Sequence, residues 1–217
     1  MHKLDRSYFF EFSGMPKSGK TTVIESVKHF FRRSGYPVKN FRGYDSHVAI
    51  DKSNARELNL ILAARAVSYV AMYSVADCKA SLHFLDRGLF DRTVFTEISR
   101  KQGEISDDEA EVLTRFLLLK QNLKHIDGLF VFVVEPNISL MREYSGTLIQ
   151  APGRVMNNDY LENFKTTLLD CYQCHKSGFN NNVLLSTDVT SPKQTGKIVA
   201  KHIWQTIGRE IDEFPLL

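Results

Sequence analysis

Cysteine is scarce in this chain: three residues in 217, at Cys78, Cys171 and Cys174. A chain of this length can bury a full core without covalent staples, and so few cysteines point to a reducing compartment rather than a disulfide framework. Net charge is small as well, at +3, too little to argue by itself for a nucleic-acid surface, and none is expected. Long apolar runs are missing. The longest apolar stretch, Leu58–Val75, is interrupted by Asn59 and Arg65, so no membrane span is expected. Met1–Arg6 carry no apolar leader run, so no signal peptide is expected and the location read is cytoplasmic. No internal repeat and no low-complexity segment is visible. With 43% hydrophobic and 24% charged residues, the composition suits one globular domain over 1–217.

What is present is concentrated near the N-terminus. Tyr8-Phe9-Phe10-Glu11-Phe12 reads as a buried strand, and Gly14-Met15-Pro16-Lys17-Ser18-Gly19-Lys20-Thr21 follows with the spacing G-x-x-x-x-G-K-T. Val23, Ile24, Val27, Phe30 and Phe31 then recur at helical spacing. Strand, loop and helix in that order are the context a phosphate-binding loop (Walker A) requires. A polyphosphate needs many donors at short range. Backbone N–H groups of Lys17, Ser18, Gly19, Lys20, Thr21 and Thr22 can supply them from a concave loop and a helix N-terminus. Gly14 and Gly19 let the chain approach without a clashing Cβ. Lys20 adds a point charge on the outer phosphates, and the Thr21 hydroxyl is a ligand for Mg²⁺. The pattern therefore implies a nucleoside triphosphate and Mg²⁺ as the bound species. The mild positive balance also suits polyphosphate ligands.

Downstream the pattern alternates. Strands are expected at Val38–Arg42, Ser81–Leu85, Leu129–Val134 and Val183–Ser186, and helices at Asn54–Cys78, Leu89–Arg100, Ser106–Lys124, Asp159–Lys176 and Ser191–Glu210, with a short helical turn at Ile138–Glu143. Residues 143–157, with Gly146, Pro152 and Gly153, read as a mobile lid, and the tail from Phe214 as loosely ordered. Alternation of this kind means α/β: a five-stranded parallel sheet of the P-loop NTPase type, covered by helices on both faces. Its strand ends collect on one edge, where ligands bind.

Asp86-Arg87 closes the third expected strand on that edge. A carboxylate there can hold Mg²⁺ through water or accept a proton, and an arginine can grip a phosphate or hydroxyl. Asp91-Arg92, one turn on, reads as a helix-surface pair. Cys171-Tyr172-Gln173-Cys174-His175 matches a haem-attachment pattern, but it sits inside an expected helix and lacks a second ligand pair. Neither haem nor zinc is expected there.

The phosphate loop, the strand end Leu85-Asp86-Arg87-Gly88 and the upstream helix Leu60-Ile61-Leu62-Ala63-Ala64-Arg65-Ala66 resemble thymidylate kinases. The run Asp86-Arg87-Gly88-Leu89-Phe90-Asp91-Arg92-Thr93-Val94-Phe95 also resembles deoxynucleoside kinases. Glu135-Pro136, Arg142, Gly153-Arg154 and Tyr160-Leu161-Glu162 are similar to the lid-flanking segments of both. The resemblance implies phosphoryl transfer from ATP to a nucleoside monophosphate, most like thymidylate kinase, with a nucleoside or another small metabolite as alternative acceptor. It places Lys20, Asp86, Arg87 and Arg142 at the reacting centre and Arg154 in the lid. Arg42 would lie near the acceptor phosphate, and Arg65 and Arg87 against the acceptor. Where thymidylate kinases carry a stacking aromatic this chain has Ile61, so Tyr69 is the substitute candidate. Asp45 is the candidate general base after the second strand. Arg65 also reads as a core ion-pairing arginine on a face with Leu58, Ile61, Leu62 and Met72. A homodimer through the long helices is implied by the resemblance. The reading from another class is a nucleotide-binding regulatory NTPase with no small-molecule acceptor.

Overall fold

A computed structural model describes residues 4–42, 54–75, 79–146, 153 and 155–215. Five parallel strands form one sheet: β1 (Tyr8–Gly14), β2 (Val38–Arg42), β3 (Leu82–Asp86), β4 (Ile126–Val133) and β5 (Asn182–Ser186), in the order β2-β3-β1-β4-β5. The α/β expectation holds. β1 is central and every one of its residues is buried, which is why it reads as a nearly continuous apolar run rather than an alternating one. The register sets Phe12 beside Asp86 on one side and Phe130 on the other, and Arg42 beside Asp86. The chain leaves β1 toward β2 but leaves β4 toward β5. The two connections diverge, and a crevice opens between them at the carboxyl edge.

Alternate side chains of each strand face opposite layers. On one face Phe10, Phe12, Phe84, Phe130 and Phe132 pack against α1 (Lys20–Arg33) and α8 (Pro192–Thr206) through Val27, Phe31, Ile203 and Trp204. On the other, Phe9, Leu85, Leu129 and Val131 pack against α2 (Ala55–Val75), α3 (Leu89–Lys101) and α7 (Asn158–His175) through Val70, Val94, Phe164 and Leu168.

Four expectations are corrected. The helix expected over Ser106–Lys124 is two, α4 (Asp107–Leu117) and α5 (Lys120–Leu123). The Asn122 side-chain amide donates to the carbonyl oxygens of Phe116 (2.8 Å) and Leu117 (3.5 Å), so α4 ends on a side chain that replaces the next turn. β4 starts at Ile126, ahead of the expected Leu129, with Asp127 buried inside it. Asp127 accepts from the Phe9 amide at 2.8 Å and from the Arg6 guanidinium at 2.5 and 3.2 Å, and these partners make a strand position of a residue that reads as a breaker. The tail is anchored at Phe214, which is buried against Phe30 and Trp204 at ring distances of 5.2 and 5.7 Å. α8 ends at Thr206, short of the expected Glu210, and Gly208 takes a left-handed φ of 74° just beyond it.

Candidate functional site

The phosphate loop runs from Gly14 at the end of β1 to Lys20 at the start of α1. Gly14 is required by space: a Cβ there would lie 2.3 Å from the Phe132 carbonyl oxygen, and its φ is 147°. Met15 donates its amide to that same carbonyl at 3.0 Å. Lys17 and Gly19 both take left-handed φ values, 53° and 81°, which fold the loop back over the N-terminus of α1. α6 (Pro136–Tyr144) braces the loop from outside. Ser139 Oγ donates to the Pro16 carbonyl at 2.9 Å, and Lys17 Nζ pairs with Glu143 at 2.6 Å.

Lys20 is buried and forms an ion pair with Asp86, the last residue of β3. Burial pulls the Lys20 ammonium below its ordinary value and the positive charges of Arg87 and Arg92 push the same way. Asp91 and the contact with Asp86 work to keep the proton on. Thr21 Oγ1 lies 3.5 Å from the other Asp86 oxygen. A cavity of about 550 Å³ opens over the loop, walled by Lys17, Ser18, Gly19, Lys20, Thr21 and Thr22 on one side and by Arg87, Arg142, Thr187 and Thr195 on the other. Arg142 Nη2 donates to the Thr187 carbonyl at 2.5 Å and its Nη1 to the Lys17 carbonyl at 3.2 Å, so it bridges the phosphate loop and the β5–α8 connection.

Beneath the loop lies a buried charge cluster. Asp91 and Arg92 are not the surface pair their helix spacing suggests: they are 0% and 4% exposed. They point inward because α3 packs its first turn under β1. Asp91 accepts from Ser13 Oγ (2.7 Å), the Gly14 amide (3.3 Å), Arg87 (2.8 Å) and Arg92 (3.0 Å). Burial works to raise its pKa, yet Arg87, Arg92 and Lys20 outweigh it and hold the carboxyl at about 2. Glu11, from the middle of β1, reaches the N-terminus of α3 and accepts the amides of Gly88, Phe90 and Asp91 at 2.9–3.1 Å. It is the cap that α3 otherwise lacks, since Gly88 has no side chain to serve. Burial pushes its carboxyl up to about 7 against the pull of those donors.

A deoxyadenosine kinase from M. mycoides, solved with the products dCMP and a flexible dCDP bound, superposes on this chain with a TM-score of 0.62. The match covers 91% of this chain and 99% of that one at 10% sequence identity. The two share one fold, an α/β five-stranded parallel sheet flanked by helices. No family model matches the sequence, and no curated protein matches it either.

Within that fold the sequence-derived site residues separate into groups. Gly14, Lys17, Ser18, Gly19, Lys20, Thr21, Thr22, Asp86, Arg87 and Arg142 converge on the crevice at the carboxyl edge. Arg42 is exposed at the end of β2, in register with Asp86. Arg65 is half-buried on α2, and the face assigned to it divides: Leu62 is buried, while Ile61 and Met72 are exposed. Tyr69 is engaged elsewhere. Its hydroxyl meets His83 Nδ1 at 2.8 Å and its ring packs on Phe41 and Tyr73, each at 4.6 Å, over the sheet and toward the start of β3. Asp45 and Arg154, with residues 147–152 of the lid, lie outside the described residues.

Thr187 follows the last strand and is legible as a residue of the carboxyl edge; the residues that sequence reasoning missed are Glu11, Ser139, Glu143 and Thr195. Glu11 carried a signal, a lone carboxylate inside an aromatic strand. The others carried none, because only the return of α6 and of the β5–α8 connection brings them to the loop.

The cradle fits a polyphosphate on one observation above all. Ser18 Oγ is buried in the loop with no hydrogen-bond partner among the described residues. A buried hydroxyl left unpaired costs about 1–3 kcal/mol, and a phosphate oxygen above the loop would satisfy it. Thr21 and Asp86 are hard oxygen donors of the kind Mg²⁺ takes. Among the described residues no helix is long and apolar enough to cross a membrane.

Proposed function

We propose that this chain transfers the terminal phosphoryl group of ATP, with Mg²⁺, to the hydroxyl of a nucleoside. The observation that carries the proposal is the meeting of the loop residues Lys20 and Thr21 with the strand-end pair Asp86–Arg87. A loop alone serves any nucleotide-binding protein; a carboxylate and a guanidinium beside its lysine supply what an acceptor needs. The likeness to a deoxyadenosine kinase over nearly all of both chains supports the same reading.

The chemistry is mostly positioning and charge neutralisation. The loop amides and Ser18 Oγ hold the phosphates. Lys20 exchanges its contact with Asp86 for the phosphate oxygens, and that exchange frees the Asp86 carboxylate. Asp86 takes the proton of the acceptor hydroxyl as its oxygen bonds to the γ-phosphorus and the bond to the ADP oxygen breaks. Arg87 and Arg142 neutralise the charge spread over the transferring group. Thr21 and the Asp86 oxygen beside it would hold Mg²⁺, which would supply charge neutralisation on the phosphate oxygens, while the Asp86 oxygen that Lys20 leaves takes the proton.

A second reading has one specific observation in its favour. Arg42 is exposed and stands in register with Asp86, where it would meet an acceptor that brings its own phosphate. That is the monophosphate reading, most like thymidylate kinase, and it needs no general base. ATP consumption by the purified protein with Mg²⁺, against a panel of nucleosides and nucleoside monophosphates, separates the two. Stimulation by a nucleoside is the expected result, and stimulation by thymidine monophosphate alone would select the second reading. ATP binding with no stimulation by either class overturns both and leaves a nucleotide switch.

The homodimer is proposed on the outer face of α2. Leu60, Ile61, Ala64, Ser68, Ala71 and Met72 form an exposed, uncharged stripe there, with Met72 65% exposed. The stripe is self-complementary in an antiparallel pairing, setting Ile61 of one copy against Met72 of the other. Sedimentation at micromolar concentration should show a dimer that Met72→Glu dissociates; a monomeric wild-type chain would retire this interface.

A further inference from the structure

The charge cluster under the phosphate loop has an asymmetry that core packing does not require. Asp91 is wholly buried, yet its two oxygens divide their partners by function. Oδ1 takes the Ser13 hydroxyl and the Gly14 amide, which open the phosphate loop. Oδ2 takes Arg87, which faces the cavity, and Arg92, which does not. One rigid, two-oxygen group therefore touches both the nucleotide cradle and the arginine beside the reacting centre. Its own position is fixed from β1, because Glu11 accepts the Asp91 amide at 2.9 Å.

Arg87 depends on this link more than an ordinary side chain would. Its backbone is left-handed, with φ of 68°, and its amide is tied to the Phe12 carbonyl at 3.0 Å. The described guanidinium contacts that aim it are the Asp91 carboxylate and the ring of Phe95, 5.2 Å from its carbon to the ring centroid. The ring supplies a face and no direction. The carboxylate supplies the direction.

We propose that Asp91 is a positioning residue that couples the opening of the phosphate loop to Arg87, so that cradle and guanidinium hold one geometry. This rests on the reading of the loop as a nucleotide site. The coupling predicts that a disturbance on the Oδ1 side is felt on the Oδ2 side. Ser13→Ala deletes only a hydroxyl from the loop end. Arg87→Lys keeps the charge and loses the planar fork. If Asp91 joins them, the two changes are not additive on nucleotide binding, since residues that share one hydrogen-bonded partner couple and independent ones do not.

The test is the affinity of the full chain for Mg·ATP, measured by calorimetry without any acceptor, for Ser13→Ala, Arg87→Lys and the double variant, each checked for a cooperative melt. The expected result is a double variant at least 3-fold away from the product of the single effects. In the Asp91→Asn background, which itself should bind at least 10-fold more weakly, the same cycle should become additive. A merely structural Asp91 would lower the melting temperature and leave the cycle additive throughout. Additivity in the wild-type background overturns the proposal, and so does a cooperatively folded Asp91→Asn that binds Mg·ATP like wild type. If Asp91→Asn does not fold, the cycle in the wild-type background decides alone. Lys20→Ala distinguishes the deeper failure: should it bind Mg·ATP as wild type does, the nucleotide site itself is misassigned and the coupling proposal falls with it.

Discussion

Lys20→Ala should reduce phosphoryl transfer by about 10²–10³-fold, the range seen when one preorganised electrostatic group at the reacting centre is removed, with the fold retained. Both halves follow from the position of the side chain. Lys20 is 7% exposed, so its charge acts in a partly desolvated site where screening by water is weak. Its partner Asp86 is 18% exposed on the side chain, and Thr21 Oγ1 stands 3.5 Å from it. An Asp86 left alone can recruit water, so truncating the lysine does not strand a buried carboxylate. Burial already pulls the ammonium below its ordinary value, with Arg87 and Arg92 adding to the effect; the truncation therefore also removes a charge that its surroundings disfavour. Single-turnover transfer under saturating ATP, compared with a thermal melt, separates loss of chemistry from loss of fold. A variant with wild-type turnover would sink the assignment of the loop.

Gly14→Ala should be worse for the fold than any other substitution in the loop. The added Cβ would meet the Phe132 carbonyl oxygen at 2.3 Å and its nitrogen at 2.9 Å, both backbone atoms of the neighbouring strand. Relief would need β4 to move away from β1. That movement breaks the Met15 amide's bond to Phe132 at 3.0 Å and loosens the Gly14 amide from Asp91 at 3.3 Å. The φ of 147° adds backbone strain for any residue with a Cβ. We expect a loss on the order of 4 kcal/mol, in the exceptional tail of single substitutions, or no folded protein. Gly19→Ala is the internal control. Nothing lies within 4 Å of its Cβ, and only the left-handed φ of 81° opposes it, so roughly 1–3 kcal/mol is expected there. Urea unfolding of the two proteins side by side makes the comparison. Equal stability would mean that β1 and β4 are not packed as closely as described.

The contrast between these glycines also says why the site was only partly legible. Gly14, Gly19, Lys20 and Thr21 are readable because a phosphate loop imposes residue types at fixed short offsets, and the flanking strand and helix are themselves local patterns. Asp86 and Arg87 are readable because a strand end in a parallel sheet is a position, and position on one edge follows from alternation alone. Glu11 and Asp91 are a different case. A carboxylate in an apolar strand or one turn into a helix is costly until its partners are known, and those partners are backbone amides and a hydroxyl from the far side of a crossover. Asp91 reads as surface by helix spacing and is buried by tertiary packing. Asp127 is the same lesson in the fold: a strand-breaking residue becomes a strand residue once Arg6 and the Phe9 amide are supplied. Phe214 reads as loosely ordered because it stands in a short tail, where nothing local says that Phe30 and Trp204 leave a place for a ring.

The reciprocal latch between β1 and α3 also bears on the order in which the chain can fold. Glu11 and Ser13 find their partners 77 to 80 residues downstream, and Met15 finds the Phe132 carbonyl farther on still. Closing such separations costs chain entropy before any contact returns it, so the turn opened by Gly14 is among the last local geometries to settle although its residues are made first. A ribosome-bound or truncated chain that ends before Asp91 carries every residue of the phosphate loop but neither Asp91 nor the Phe132 carbonyl to which the start of the loop is tied. Nucleotide affinity is then a late reporter of folding: it should emerge with the arrival of α3 and β4, not with the emergence of the loop from the ribosome.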